Sequence, residues 1–476
     1  MGQEISFSHF DQGDFDRFYQ KLKLETDLLK KMIEKKACST RSPVAGFEIE
    51  AWILDQNLRP APINASFLSS LNNPLAYAEL AKYNIELNST PTPLAGNVFS
   101  RMLKQLDSTW NQAFQHAEAQ NHKLAMIGTL PTLSQSDITL ANMSDLNRYR
   151  ALNEQILQSR GKPINLDIIG TEHLKFDHHD VMLESATTSL QIHIQLTLDS
   201  AHHFYNASII ASAPLVAICA NSPYLFGKDL WHESRIPLFE QSIETGGYNG
   251  AAQGPIKRVS FGTGYARESI FECFTENLEH FPVLLPANLD SSAEAFEHIK
   301  LHNGTIWRWN RPLIGFDDDG TPHIRVEHRV PAAGPSTVDS MANAAFFYGL
   351  AKNLSDQIME KGIHLPFSQA KDNFYQSARY GVDSHVIWMD GNRYRLRTLI
   401  KNELIPRAIL GLKSLGVTTC DCEDFLNIIL QRINNKQNGC QWQRQFIQSN
   451  PDFTAMMQCY IKNQQSGKPV GEWSTE

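Results

Sequence analysis

Four short stretches of the chain alternate polar and apolar residues. They lie at residues 47–52, 85–88, 191–195 and 325–329. Because successive side chains of a strand point to opposite faces, this pattern predicts four strands with one polar and one apolar face each. The polar faces carry carboxylates, an imidazole and guanidinium groups rather than Lys, Ser or Thr. An ordinary antiparallel sheet can turn such faces to water, but these chemical types complement one another, so we expect them to line one cavity.

Helical periodicity surrounds these strands. The predicted helices lie at residues 14–36, 75–82, 100–120, 140–161, 201–220, 339–354, 399–415, 424–434 and 442–465, with a further helix or loop at 231–241. The region after about residue 395 contains none of the clustered carboxylates. We therefore assign residues 1–394 to a catalytic domain and residues 395–476 to a helical C-terminal subdomain.

Composition narrows the function classes. The chain has 476 residues, 42% of them hydrophobic, and can bury a substantial core. Its 43 basic and 51 acidic side chains give a net charge of −8 with no long basic run, so we expect no nucleic-acid partner. The longest apolar run, residues 209–220, falls short of the ~20 residues that span a bilayer, so we expect no membrane contact. Seven scattered cysteines indicate free thiols and a reducing, cytoplasmic compartment.

The middle of the chain is rich in glycine but lacks the standard phosphate-binding loops. The glycines are Gly246, Gly247, Gly250, Gly254, Gly262 and Gly264. They form neither a G-x-x-x-x-G-K-[ST] motif nor a G-x-G-x-x-G motif that opens a helix. If the protein binds a nucleotide, metal ions would then have to bind its phosphate groups.

The polar strand faces hold groups that bind divalent cations and phosphate. Glu48 and Glu50 are candidates for two neighbouring Mg²⁺ sites, because two Glu separated by one residue cannot easily chelate one small ion from a strand. His193 adds an imidazole that Mn²⁺ or Mg²⁺ can accept. Arg325 and Arg329 are suited to bidentate contacts with phosphoryl oxygens. Carboxylates crowded in a dry cavity need cations to offset their repulsion, and the combination favours phosphoryl transfer.

Five segments carry a wider resemblance. They are GFEIE at 46–50, ELAKYNIEL at 79–87, TTSLQIHIQ at 187–195, ANSPYLFG at 220–227 and RVEHRVPAAGPSTVD at 325–339. Together they resemble the glutamate–cysteine ligase superfamily of carboxylate–amine ligases, over roughly residues 40–400. The resemblance implies an α+β, glutamine-synthetase-like fold: a curved, mainly antiparallel sheet forms a funnel-shaped active site flanked by helices.

The resemblance also implies roles for single residues. One metal site would use Glu50, Glu79 and Glu86. The second would use Glu48, His193 and Glu327. Arg329 falls where the family places an arginine on the terminal phosphate of the nucleotide. The substrate-binding candidates are Arg235, which could equally form a surface ion pair, and Arg308 and Arg311, which lie in a segment that resembles the loop lining the substrate pocket.

The activity that the resemblance implies is ATP-dependent formation of a carbon–nitrogen bond. ATP would phosphorylate the γ-carboxylate of glutamate, and an amine, with cysteine the expected acceptor as in glutathione biosynthesis, would displace the phosphate. Three alternatives stay open: a ligase of the same family with another amine, a guanidino-kinase-type phosphotransferase, and a catalytically silent relative that binds nucleotide. The clustered Glu residues count against the phosphotransferase because they favour several metals.

Overall fold

The computed structural model describes residues 4–41, 43–245 and 256–475. The strands are β1 (Val44–Leu54), β2 (Ala76–Ala78), β3 (Asn84–Asn88), β4 (Thr92–Pro93), β5 (Lys123–Ala125), β6 (Ile164–Ile169), β7 (His173–His178), β8 (Leu190–Leu196), β9 (Tyr224–Leu225), β10 (Lys228–Asp229), β11 (Val259–Ser260), β12 (Trp307–Arg308), β13 (Asn310–Phe316), β14 (Pro322–His328), β15 (His385–Ile387) and β16 (Arg393–Arg395).

The helices surround these strands. They are α1 (Gln12–Glu34), α2 (Asn64–Leu71), α3 (Val98–Ala119), α4 (Asn147–Arg160), α5 (Leu198–Ile218), α6 (Arg235–Ser242), α7 (Phe271–His280), α8 (Glu297–Gly304), α9 (Thr337–Lys361), α10 (Phe367–Tyr380), α11 (Leu396–Leu399), α12 (Ile405–Ser414), α13 (Thr419–Asn435), α14 (Gly439–Ser449) and α15 (Phe453–Gln465). A 3₁₀ turn at Val181–Ala186 precedes β8.

One curled antiparallel sheet organises the molecule. Its strands follow the order β13-β14-β8-β1-β3-β2, and β4 and β5 also pair with β1. Each of the four stretches predicted as strands lies in this sheet, with Arg329 one residue past the end of β14. The predicted α+β class and the mainly antiparallel sheet are therefore confirmed.

The apolar face of the sheet is covered by helices. Phe47 and Ile49 of β1 are buried there, as the alternation predicts. On α9, the Tyr348 hydroxyl donates hydrogen bonds to the carbonyls of Gly46 and His193, at 3.1 and 2.7 Å. Helices α5 and α9 thus occupy the apolar side, and the acidic side chains of β1 are left to face the opposite side.

The helix predicted at residues 75–82 is wrong. Residues 76–78 form the edge strand β2, which pairs with β3, and residues 79–83 form the turn between the two strands. Apolar spacing in this short segment suits either state, and the pairing with β3 decided it. The helix predicted at 442–465 is also divided, into α14 and α15, because Pro451 interrupts it.

The helices after residue 395 pack onto the rest of the chain through buried polar contacts. Arg432 of α13 forms an ion pair with Asp339 of α9 at 2.7 Å, and both side chains are buried. The carboxylate of Asp421 accepts hydrogen bonds from the backbone amides of Phe99 and Ser100 at the start of α3. The helical character predicted for this region is confirmed, while the boundary at 394/395 stays a prediction.

Two further expectations concern the whole chain. All seven cysteines are free thiols, as their scatter indicated. The described ranges contain no helix whose length and hydropathy would let it traverse a lipid bilayer. Of the glycine-rich segment, Gly246, Gly247, Gly250 and Gly254 lie outside the described residues.

Candidate active site

The polar face of the sheet lines a cavity of about 280 Å³. The sheet contributes Glu48, Glu50, Glu86, Gln191, Arg311, Arg325 and Glu327 to its lining. Further polar lining comes from Arg329, from Glu79 after β2, from Arg148 and Tyr149 of α4, from Glu184 of the 3₁₀ turn and from Lys300 of α8. Side chains from distant parts of the chain therefore meet in one cavity, as the alternating strands predicted, but the expected imidazole of His193 is not part of the lining.

Helix α8 forms the wall opposite the sheet, and a buried contact with α1 holds it there. The carboxylate of Glu25 accepts a hydrogen bond from the backbone amide of Ile299 at 2.9 Å. The same carboxylate contacts the ring of His298 at 2.6 Å, and both side chains are buried. This anchor positions Ile299 and Lys300 at the cavity surface.

The register between β1 and β3 brings one group of acids together. Glu50 lies directly opposite Glu86. Glu79, in the turn before β3, shares a hydrogen bond with Glu86. Like charges in opposite positions of a sheet repel each other, so this group is stable only with shared protons or a bound cation. These are the three residues that the resemblance assigns to one metal site.

The register between β8, β1 and β14 assembles a second group. His193 lies opposite Gly46 on β1 and opposite Glu327 on β14. Its Nε2 atom is 3.6 Å from Oε1 of Glu48, which is opposite Gln191. Glu48, His193 and Glu327, the residues assigned to the other metal site, are thus neighbours on one face of the sheet.

Burial and mutual repulsion shift the pKa values of the acids. Burial, with a contribution from Glu79, raises the pKa of Glu50 to about 7. Burial, followed by the charges of Glu48 and Glu79, raises the pKa of Glu86 well above its usual range. Glu184 is affected in the same way, and its pKa rises to about 8. These carboxyl groups hold protons more tightly than ordinary carboxyl groups do.

The other group has the opposite electrostatic balance. Burial lowers the pKa of His193 to about 4, so its imidazole is neutral at pH 7 and has a nitrogen lone pair available. Burial opposes ionisation of Glu327, but Arg311 and Arg329 hold its pKa well below the usual range. Arg311 Nη2 and Arg329 Nε lie 2.9 and 2.8 Å from the two oxygens of Glu327. Glu327 is therefore ionised and fixed between two guanidinium groups.

The two arginines proposed to contact phosphate differ in their contacts. Besides Glu327, Arg329 donates a hydrogen bond from Nη2 to Oε1 of Gln191 at 2.8 Å. The buried Nε of Arg325 has no hydrogen-bond partner among the described residues. Both side chains line the cavity. An anionic ligand there would contact the guanidinium group of Arg329, which is held in place, and that of Arg325, which has an N–H group without a partner in the described part of the chain.

Of the three arginines expected to bind substrate, the cavity lining includes Arg311 alone. Arg235 is buried against Glu233, with its Nε 3.3 Å from Oε1, and it donates hydrogen bonds to the carbonyls of Arg329 and Val330. Arg308 is buried and bonds to Glu276 and Asn277 at 2.7 and 2.6 Å. Contact of Arg235 or Arg308 with a substrate therefore stays a prediction.

The donor chemistry of the cavity fits divalent cations. Oε1 of Glu86 and both ring nitrogens of His193 are buried without a hydrogen-bond partner, which leaves one ligand atom in each group available. Among the residues that the structure covers, no three His, Cys, Asp or Glu side chains are arranged to hold a metal ion. A cation would therefore require side-chain rotation, and the fit rests on the ligand types and not on a preformed geometry.

Several cavity residues had no role in the sequence analysis. They are Glu184, Arg148, Tyr149 and Lys300. Arg148 donates a hydrogen bond to the hydroxyl of Tyr149 at 2.8 Å, and Lys300 lies 4.6 Å from the ring centre of Phe316. None of the four belongs to an alternating strand, so periodicity gave no signal for them.

These pKa shifts predict how stability depends on pH. For Glu50 and Glu184 the folded-state values of about 7 and about 8 exceed the ordinary 4.5. Their protonated forms favour the folded state, so this stability is fully present below the unfolded value and is lost as pH rises through the folded values. In the presence of a chelator, the thermal unfolding midpoint should decrease as the pH rises from about 5 to about 8. Mg²⁺ should make this decrease smaller, because it binds the ionised acids.

Thermal scans across this pH range, with a chelator and with Mg²⁺, measure the effect. Glu50→Gln removes one of the two titrating groups, so the unfolding midpoint measured with the chelator should depend less on pH. Glu172→Gln, which changes an exposed carboxylate outside the cavity lining, is the matched control and should leave this pH dependence unchanged. A midpoint that is independent of pH in the chelator would contradict the description of a strained acidic cavity.

Comparisons with known proteins concern the family and the fold of the chain. The family model described as glutamate-cysteine ligase family 2 (GCS2) matches residues 44–467. Among solved structures, the glutamate–cysteine ligase of Francisella tularensis in complex with AMP has a TM-score of 0.53 and 11% identity, with 90% of each chain covered. A bifunctional glutathione synthetase from Pasteurella multocida gives a TM-score of 0.48 and 11% identity, over 91% of this chain and 54% of that one. No curated protein matches in sequence. At 11% identity, the Francisella tularensis structure shows a shared fold alone.

Proposed function

The chain belongs to glutamate–cysteine ligase family 2, a family of carboxylate–amine ligases, and we propose that it uses ATP to join glutamate to an amine. One observation carries the proposal. Five glutamates and Arg329, which the resemblance assigns to the metals and the phosphate, line a single cavity in this chain together with Arg325. ATP and either Mg²⁺ or Mn²⁺ are the proposed cofactors.

The first chemical step is phosphoryl transfer. A γ-carboxylate oxygen of glutamate attacks the terminal phosphorus of ATP, the bond from that phosphorus to the bridging oxygen breaks, and ADP leaves with the electron pair. Arg329, held by Glu327 and Gln191, is proposed to donate hydrogen bonds to the transferred phosphoryl group. Arg325, with donors to spare, is proposed to contact the phosphate chain.

The second step forms the amide. The amine nitrogen attacks the carbonyl carbon of the acyl phosphate, and the carbon–oxygen bond breaks so that phosphate leaves with the electron pair. The candidate metal ligands are Glu50, Glu79 and Glu86 in one group, and Glu48, His193 and Glu327 in the other. Mg²⁺ or Mn²⁺ bound there would supply neutralisation of the phosphate charges. No covalent enzyme nucleophile is needed.

The three remaining arginines are proposed to serve the substrate pocket in different ways. Arg311 lines the cavity and can meet a carboxylate of the substrate. Arg235 holds the carbonyls at the end of β14, so its proposed effect on the substrate passes through the position of Arg329. Arg308 of β12 ties this strand to α7 through hydrogen bonds to Glu276 and Asn277.

Cysteine is the proposed amine acceptor, with a role in glutathione biosynthesis in the cytoplasm. A ligase of the same family with a different amine is the alternative. A catalytically silent nucleotide-binding relative is a further outcome that experiment must separate.

The test is ADP release by the purified chain with Mg²⁺, ATP, glutamate and a panel of amines that includes cysteine. We expect release that needs glutamate together with one amine, and a product that contains both. Selective use of another amine would support the alternative ligase. ATP binding with no turnover in any combination would contradict the proposal and identify a silent relative.

A further inference from the structure

Glu184 lines the cavity from a firmly held turn. The side chain of Asp180 caps the turn by accepting a hydrogen bond from the backbone amide of Met182 at 2.9 Å. The amide of Val181 donates to Oδ1 of Asn153 on α4 at 3.1 Å. The carbonyl of Glu184 accepts from the amide and the hydroxyl of Thr187, at 3.0 and 2.9 Å. The backbone of Glu184 is thus fixed while its side chain faces the cavity.

The other cavity acids are engaged. Glu50 accepts hydrogen bonds from Ser189 and Gln191. Glu327 is held by two arginines, and Glu79 and Glu86 share a hydrogen bond.

The carboxylate of Glu184, in contrast, accepts no hydrogen bond from any residue in the described ranges. It is a carboxyl group held at a fixed place in the cavity, and the proposed metal and phosphate assignments give it no task.

Its position suits the second substrate. Glu184 lines the same cavity as Glu79, Glu50 and Arg329, where phosphoryl transfer is proposed. Tyr149 of α4 also lines this cavity. An acceptor that attacks the acyl phosphate must place its nitrogen in this neighbourhood.

We propose that Glu184 binds the ammonium group of the acceptor and so selects primary amines that are protonated in solution. The bound ammonium group passes one proton to water before its nitrogen lone pair attacks the acyl carbon and phosphate leaves. This inference rests on the proposed ligase function. A carboxylate that forms a charge-assisted hydrogen bond to an ammonium group gains several-fold to a hundredfold in affinity over a neutral partner. The engaged acids cannot serve in this way without giving up the contacts described above.

Hydroxylamine as the acceptor distinguishes ammonium binding by Glu184 from a role of Glu184 in metal binding or phosphoryl transfer. It is largely uncharged at neutral pH, so it does not need a carboxylate to bind, and its nitrogen attacks the acyl phosphate to give a hydroxamate while phosphate leaves. We expect Glu184→Gln to raise KM for the cognate ammonium acceptor by about tenfold or more, and to leave kcat/KM for hydroxylamine within about threefold of wild type. The KM for ATP and the Mg²⁺ concentration for half-maximal rate should not change.

Two further variants complete the experiment. Glu184→Asp keeps the charge and should recover part of the affinity for the amine. Glu50→Gln, which changes a proposed metal ligand, should lose the amine and hydroxylamine reactions together. Unfolding midpoints of all variants show whether each is folded.

The outcomes are distinct. Equal loss of both reactions in Glu184→Gln, or a raised Mg²⁺ requirement, would overturn the inference and make Glu184 part of the phosphoryl-transfer site. Unchanged kinetics with the amine would also overturn it. Absence of hydroxamate from wild-type protein with ATP, Mg²⁺ and glutamate would instead count against the ligase proposal itself.

Discussion

Replacing Glu48 with Gln is expected to lower kcat for ligation by on the order of 10³-fold or more, the scale seen when one preorganised electrostatic group is removed from an active site. Glu48 belongs to the group with His193 and Glu327; it is 3.6 Å from His193 and opposite Gln191. Gln has the same shape but no negative charge, so it would bind a divalent cation far more weakly. The amide leaves no buried charge without a partner, and the fold should persist.

The measurement is the rate of ADP release at saturating ATP and glutamate, alongside a thermal unfolding scan. Glu327→Gln should reduce the rate similarly, but it also weakens the anchor of Arg311 and Arg329, so a lower unfolding midpoint should accompany the loss. Glu240→Gln is the control, because this half-buried acid accepts hydrogen bonds from Trp309 and Tyr375 outside the cavity lining. A wild-type rate in Glu48→Gln would remove the main support for the metal assignment.

Arg329→Ala is expected to lower kcat by about 10³-fold, the lower end of the effect of an arginine that stabilises a transferring phosphoryl group. The side chain is held by Glu327 and Gln191 with donors toward the cavity, so it is preorganised for that charge. The KM for glutamate should change less than kcat, because the contact strengthens as the phosphoryl group is transferred. Arg329→Lys should recover a part of the rate, since Lys restores the charge but not the planar fork.

Steady-state kinetics with varied glutamate and with varied ATP distinguish these effects. Arg444→Ala is the matched control, because Arg444 forms an ion pair with Asp229 at 2.5 Å outside the cavity lining. Its turnover should match wild type even if its unfolding midpoint falls. A change confined to the KM for glutamate in Arg329→Ala would show that this arginine binds substrate and does not assist phosphoryl transfer.

The local pattern of the sequence was enough to predict the strands and the face of the sheet to which each side chain points. Glu48 and Glu50 lie on one face of β1 and Phe47 and Ile49 on the other, because the two-residue period of a strand is a property of the backbone. The cavity lies on the side of the sheet to which the polar faces of these strands point. The pairing of Glu50 with Glu86 and of His193 with Glu327 agrees with the groups that the resemblance implied.

Where local signals are weak, the sequence was a poorer guide. Residues 76–78 have a spacing that suits a helix, yet they pair with β3 as an edge strand. Arg235 and Arg308 are arginines in the expected segments, but each is buried in its own set of hydrogen bonds outside the cavity lining. No local pattern tells whether a charged side chain will find its partner in the core or face a ligand.

The sequence by itself therefore determined the strand faces, the acidic and cationic residue types of the site and the family resemblance, because these depend on neighbouring residues and on short motifs. Tertiary structure alone decided which side chains share the cavity, including Glu184 and Arg148, which belong to no alternating strand. It also decided which acids hold protons and which are ionised. Burial and the distances between charges set the pKa values, and both arise when segments far apart in the chain pack together.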